Sequence, residues 1–155
     1  MDAWILDIMD HWTKFNFAFP LVKMKSNHVV KALHNYMYVF PVFGLPGIIH
    51  SDNGKEFVNK DVVSTWPGDV QLISGRQRHP QSQGLAEQAH YTLERMISAK
   101  VAECCDQCPP WSQWFPHIVY TMNTQVHDTT KQTPYFIWPT SDGNCGSRCQ
   151  LSRTA

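Results

Sequence analysis

The stretch His50-Ser51-Asp52-Asn53-Gly54-Lys55-Glu56-Phe57 (HSDNGKEF) decides how the rest of the chain is read. It follows Gly47-Ile48-Ile49, a short apolar run of the kind that makes a buried strand, and it precedes a segment with helical spacing of apolar residues. Asn-Gly between the two tolerates positive φ and signals a turn. An acid in such a turn is ordinarily solvated surface polarity. Asp52 acquires meaning only if the fold brings a second carboxylate to the same place.

Working outward, residues 3–9 (AWILDIM) form an apolar run, and residues 15–22 (FNFAFPLV) place aromatics at alternate positions. The short polar link Asp10–Lys14 makes them a β-hairpin, with Pro20 at the far end of the second strand or on an edge. From Ser26, a capping residue, the period changes: Val29, Val30, Leu33, Tyr36, Met37 and Phe40 recur at helical spacing. Pro41 and Gly44-Leu45-Pro46-Gly47 stop that helix. Beyond the Asp-Asn-Gly turn the spacing predicts a helix over about 55–65, with Phe57, Val58 and Val62 inward. A strand at 70–73 follows, then a polar loop SGRQRHPQSQG (74–84). Helices are predicted over about 85–103 and, after the Pro109-Pro110 break, about 110–124. The order β-β-α-β-α-β-α-α predicts a mixed α/β sheet with helices on its faces. Residues 140–155 carry Ser, Gly, Cys and Thr with little apolar content and read as a disordered tail outside the domain formed by 1–139.

A chain of 155 residues suits one domain with a real core. Its formal charge balances at zero, so any contact with nucleic acid must rest on local patches or a bound cation. No run is long enough to span a membrane, and the N-terminus lacks the pattern of a secretory signal. The five cysteines, Cys104, Cys105, Cys108, Cys145 and Cys149, are odd in number and irregular in spacing. They read as reduced thiols rather than a disulfide framework or a zinc site.

The second carboxylate lies in LAEQAHYTLERMISAKVAE. Leu85, Ala89, Leu93, Met96 and Ile97 share one stripe and should face the core, whereas Glu87 falls off it beside His90, Tyr91 and Glu94. Alone it is a first-turn acid that complements the helix dipole. With Asp52 it becomes half of a pair, because strand C-termini and the helix N-termini after them gather at one edge of a parallel arrangement.

These motifs resemble the catalytic core of retroviral and retrotransposon integrases, in the DDE polynucleotidyl-transferase family. The resemblance runs from about Trp4 to Pro139 and rests on HSDNGKEF, RHPQSQG followed by LAEQ, DHWTKF (10–15), GLP (44–46), TMNTQVH (121–127) and TPYF (133–136). It is strongest toward gypsy-type integrases and host proteins domesticated from them. The resemblance implies an RNase H-like mixed sheet flanked by helices. It also implies a Mg²⁺- or Mn²⁺-dependent DNA strand transferase and endonuclease. Asp52 and Glu87 would be catalytic metal ligands pointing into one groove, since three carboxylates in this family hold two cations about 4 Å apart. Arg76, Arg78, His79, Gln81 and Gln83 would meet phosphates or base edges of DNA. A homodimer through the core and a nuclear location are implied as well, with neither a membrane nor a small-molecule substrate.

The resemblance also has gaps. The family's first catalytic Asp stands on a first, central strand upstream of the one that reads AWILDIM here, and that strand is expected to be missing. Asp2, Asp7 and Asp10 are poor substitutes, because metal sites demand geometry within fractions of an ångström. Gln88 replaces a residue that relatives usually make basic, and the sequence after Trp138-Pro139 departs from the family. The zinc-binding and DNA-binding domains that flank the core of a full integrase are not expected. Without the central strand, β-ladder groups would face each other across a gap, or the Ile48–Ile49 strand would close up on AWILDIM. The expected function is therefore an integrase-like domain with impaired catalysis. The alternatives are a non-catalytic nucleic-acid or protein-interaction module from a domesticated retroelement, and a non-functional truncated product.

Overall fold

The computed structural model describes residues 4–37, 45–51, 54–57, 59–74, 80–103, 109–140 and 148–154, with backbone alone for 37, 74, 80–87, 138–140 and 148–154. The chain begins with an antiparallel hairpin, β1 (Trp4–Asp10) and β2 (Asn16–Leu21), in which Leu6 opposes Phe19 and Ile8 opposes Phe17. The turn between them explains the DHWTKF motif. The Asp10 carboxylate accepts from the Thr13 backbone N–H at 2.8 Å and from the Thr13 hydroxyl at 2.6 Å. Lys14 takes φ 63°, and its N–H returns to the Asp10 carbonyl at 2.9 Å. Asp10 thus holds a turn, and its place in the motif is structural.

Helix α1 (Ser26–Met37) crosses back over the sheet to β3 (Ile48–Ser51). Helix α2 (Lys60–Thr65) starts five residues later than the apolar spacing predicts. Lys55–Phe57 form a turn, and the Asn59 side chain caps the helix by accepting from the Asp61 N–H at 3.2 Å. Strand β4 (Gln71–Ser74) is followed by the long helix α3 (Pro80–Glu103). This helix begins before the expected Leu85, with proline in the first position, where its missing N–H costs nothing. Gln81 and Gln83 therefore lie on the first turn of α3 rather than in a loop. Helix α4 (Trp111–Thr124) and the short α5 (Pro134–Thr140) follow. The Thr-Pro of TPYF opens α5: the Thr133 hydroxyl accepts from the Phe136 N–H at 3.3 Å, and Pro134 takes the first helical position.

The last element corrects the sequence reading. Residues Arg148–Thr154 form strand β5, and the sheet runs β2-β1-β5-β3-β4. β5 lies antiparallel to β1, with Ile8 opposite Leu151 and Asp7 opposite Ser152. It lies parallel to β3, with Ser51 opposite Leu151, and β3 is in turn parallel to β4. The predicted gap is absent, and β3 does not close up on β1. The tail's composition predicted disorder because it offers little apolar surface. Two unpaired rows of backbone N–H and C=O groups, however, recruit any extended segment that can complete both ladders.

Side chains alternate along β1 and divide the core into two layers. Leu6 and Ile8 join Leu33, Tyr36, Ile49, Phe57 and Val62 under α1 and α2. Ile5 joins Leu93, Phe115 and Ile118 under α3 and α4, so the α3 stripe faces inward as expected at Leu93, with Met96 and Ile97 packed beside it. Among the described residues no helix is long and apolar enough to cross a membrane.

Candidate functional site

Strand β3 delivers the chain to Ser51, which is buried, and Asp52 and Asn53 immediately after it lie outside the described residues. Arg76, Arg78 and His79 lie outside them as well. Glu87 is placed by its backbone on α3, about one turn before His90, with Gln83 about one turn and Gln81 between one and two turns further toward the helix start. The sheet register locates this region. Ser51, Leu151 and Ile8 stand in one row across three strands, and the next row contains Ser152 and Asp7. At ordinary strand spacing the end of β3 is about 10 Å from β1, across β5.

Asp7 is the residue that sequence reasoning set aside. It occupies the α3-facing side of β1 between Ile5 and Met9, and it is almost completely buried. Oδ2 of Asp7 lies 3.5 Å from Nε2 of His90, with the side chains 3% and 17% exposed, so this pair ties β1 to α3. Oδ1 has no hydrogen-bond partner among the described residues. Burial pushes the carboxyl up to about 7, against the opposing pull of the Ile8 backbone hydrogen bond. A lone acid inside an apolar strand signals trouble in the sequence, but only the three-dimensional fold shows that its neighbour is His90.

A second polar feature adjoins α3. A cavity of about 200 Å³ opens between the hairpin turn, α3 and the end of α4, lined by Lys14, Asn16, Gln88, Thr92, Gln125 and His127 among others. Burial lowers the basicity of Lys14, which Asp10 partly restores, and the Lys14 amine donates to the His11 carbonyl. His127 is also lowered, by burial and then by Lys14, with Asp128 opposing. The wall of this cavity is fixed by the TMNTQVH motif. Asn123 on α4 accepts from the Asn16 N–H at 2.8 Å and donates to the Asn16 carbonyl at 2.8 Å, completing the start of β2 as a neighbouring strand would.

Among the described residues no three His, Cys, Asp or Glu side chains stand close enough together to hold a metal ion. The donors implied by the resemblance, two carboxylates, suit a hard cation by their oxygen chemistry. Asp7 and His90 make a pair rather than a cluster.

The strand order, the mixed pairing and the helices on both faces define an RNase H-like α/β domain. No family model matches the chain. The chain is 36% identical over 134 residues to human KRAB-A domain-containing protein 2, covering 84% of this chain and 26% of that protein. It is 26% identical over 129 residues to Gypsy retrotransposon integrase-like protein 1 of Bos taurus, covering 82% of this chain and 24% of that one. The chain thus spans about a quarter of the length of these curated relatives. In structure it matches the catalytic core domain of BIV integrase at TM-score 0.72 and 20% identity, covering 88% of this chain and 86% of that one. The HTLV-2 integrase catalytic core, solved in complex with magnesium, matches at TM-score 0.69 and 16% identity, covering 87% and 84%. In fold the chain is similar to retroviral integrase catalytic cores, and in sequence it is similar to a gypsy retrotransposon integrase-like protein.

Proposed function

We propose that this domain binds DNA in the manner of an integrase core and is impaired in strand transfer. The observation that carries the second half is the identity of the central strand. Its sequence, RCQLSRT, contains no Asp or Glu, and it stands where the resemblance calls for a strand bearing the first catalytic acid. Asp52 and Glu87 remain as two carboxylates able to hold Mg²⁺ or Mn²⁺, which would supply charge neutralisation at a phosphate. Two ligands instead of three imply weak binding. Asp7, whose Oδ1 has no hydrogen-bond partner among the described residues, is held by His90 rather than directed at solvent.

DNA contact rests on Arg76, Arg78, His79, Gln81 and Gln83, the polar run that leads into α3. The N-terminus of a helix favours phosphate through its free N–H groups and dipole. A homodimer through the core and a nuclear location accompany this reading. The same central strand also favours a second reading, a non-catalytic module kept for binding alone.

Fluorescence anisotropy with labelled duplex DNA, together with a strand-transfer assay in Mg²⁺ and in Mn²⁺, tests both halves. Binding should weaken with salt, and Arg78→Ala should reduce the slope of log K against log salt by about one. No strand-transfer product should form. Product that disappears on Asp52→Asn overturns the impairment, and an absence of salt-dependent binding overturns the DNA reading.

A further inference from the structure

Strand β5 completes both ladders, yet its sequence suits the position poorly. A strand at the centre of a sheet covered on both faces normally reads as a near-continuous apolar run. RCQLSRT instead places Arg153 in register with Leu6, which is 0% exposed within the larger core layer. Leu151, in register with Ile8, is the one aliphatic residue of the seven. β5 is paired through its backbone with both β1 and β3, and any other strand can make the same backbone pairs. On the opposite side of this row Asp7 presents a buried Oδ1 that no described group donates to.

We propose that the slot between β1 and β3 is an acceptor site for an extended segment of another polypeptide, and that β5 is its exchangeable occupant. The register defines the incoming chemistry. The segment runs parallel to β3 and antiparallel to β1, carries apolar residues at the levels of Ile8 and Leu6, and places a hydrogen-bond donor between them at the level of Asp7. Recognition is main-chain pairing for affinity and alternate side chains for selectivity, as in other strand-addition complexes. One-residue slips are disfavoured, because they would turn the apolar residues to the wrong face.

The test uses the full chain and a labelled peptide, Arg-Val-Gln-Leu-Ser-Val-Thr, which is β5 with Arg153 and the oxidisable Cys149 each replaced by β-branched valine. Anisotropy should show saturable binding that a scrambled peptide of the same composition lacks. Amide exchange should show β5 losing protection when the peptide binds, while β1 and β3 keep theirs. The full-length Arg153→Val variant, whose own strand fits the slot better, should bind the peptide at least about ten-fold more weakly. The proposal is overturned by no binding at millimolar peptide, by equal binding of the scrambled peptide, by β5 staying protected in the complex, or by Arg153→Val leaving affinity unchanged.

Discussion

The two faces of the sheet share the same strands but are built to different rules. Under α1 and α2 the buried cluster is apolar, from Leu6 and Ile8 to Tyr36, Phe57 and Val62, with Phe17 and Tyr36 rings 4.8 Å apart, and the buried Ser51 lies in the row of Ile8 at its edge. Under α3 and α4 the described buried apolar residues include Ile5, Met9, Leu93, Phe115 and Ile118, and the same side of the hairpin also buries Asp7 and Asn16, which meet His90 and Asn123. The first face supplies stability through area removed from water. The second spends part of that stability on placing polar groups beside the helix that carries Glu87. Under the proposed function, the site and this cost sit on one side of the molecule.

Breaking the apolar face should have the largest effect. Phe57 is completely buried in the larger layer, so Phe57→Ala leaves a cavity and should cost about 3–5 kcal/mol in urea unfolding. A cost below about 1 kcal/mol would mean that this face is loosely packed, and the contrast between the faces would disappear.

The polar face can be probed with pH. Asp7 titrates near 7 when folded, against an ordinary value of 3.8, so the folded state retains a proton that the unfolded chain gives up between those values. A carboxyl raised in this way favours folding in acid, and stability falls as pH rises from about 4 to 7. At 1.36 kcal/mol per unit the loss is on the order of 4 kcal/mol. Asp7→Asn, neutral at every pH, should be more stable than the parent at pH 8 and should lose that advantage at pH 4. An advantage equal at both values would show that Asp7 is ionised in the folded state throughout, through its pairing with His90.

Asn123→Ala should come next, at about 2–3 kcal/mol, because it leaves the buried N–H and carbonyl of Asn16 without partners. Asn123→Asp sharpens the test, since a carboxylate accepts from the N–H but cannot donate to the carbonyl. If Asp is as well tolerated as the parent, the second bond contributes nothing.

How much of this was legible in the sequence follows the same division. The apolar run of residues 3–9, the alternate aromatics of Phe15, Phe17 and Phe19, and the helical stripe of Leu93, Met96 and Ile97 report burial directly, so the hairpin, the helices and the mixed sheet could be read. Helix α3 was read as starting at Leu85 because its first turn, Pro-Gln-Ser-Gln, carries no apolar stripe, and propensity and the opening proline act there instead. β5 was not legible because a pattern rule detects side-chain burial, whereas backbone pairing places RCQLSRT. The acids could be named from their motifs. That Asp7 meets His90 could not, since the pairing depends on the register of β1 beneath a helix more than eighty residues away in sequence.

The smallest expected effect concerns two lysines with nearly the same backbone. Lys14 and Lys131 have φ values of 63° and 56°, in the left-handed region where a side chain costs roughly 1 kcal/mol. Lys131 is exposed, in the loop that joins α4 to α5, and its N–H donates to the His127 carbonyl at 2.8 Å, a bond glycine can keep. Lys131→Gly relieves the strain but gives the unfolded chain more freedom, so the net gain should be a few tenths of a kcal/mol. Lys14 is buried at the turn between the strands, and its amine donates to the His11 carbonyl on the side that opens to the polar cavity. Lys14→Gly obtains the same backbone relief but removes that donor, so it should destabilise. Opposite signs for the two changes, measured as shifts in thermal midpoint, are the expected result. The same sign for both would mean that the Lys14 side chain contributes nothing and that φ alone governs these positions.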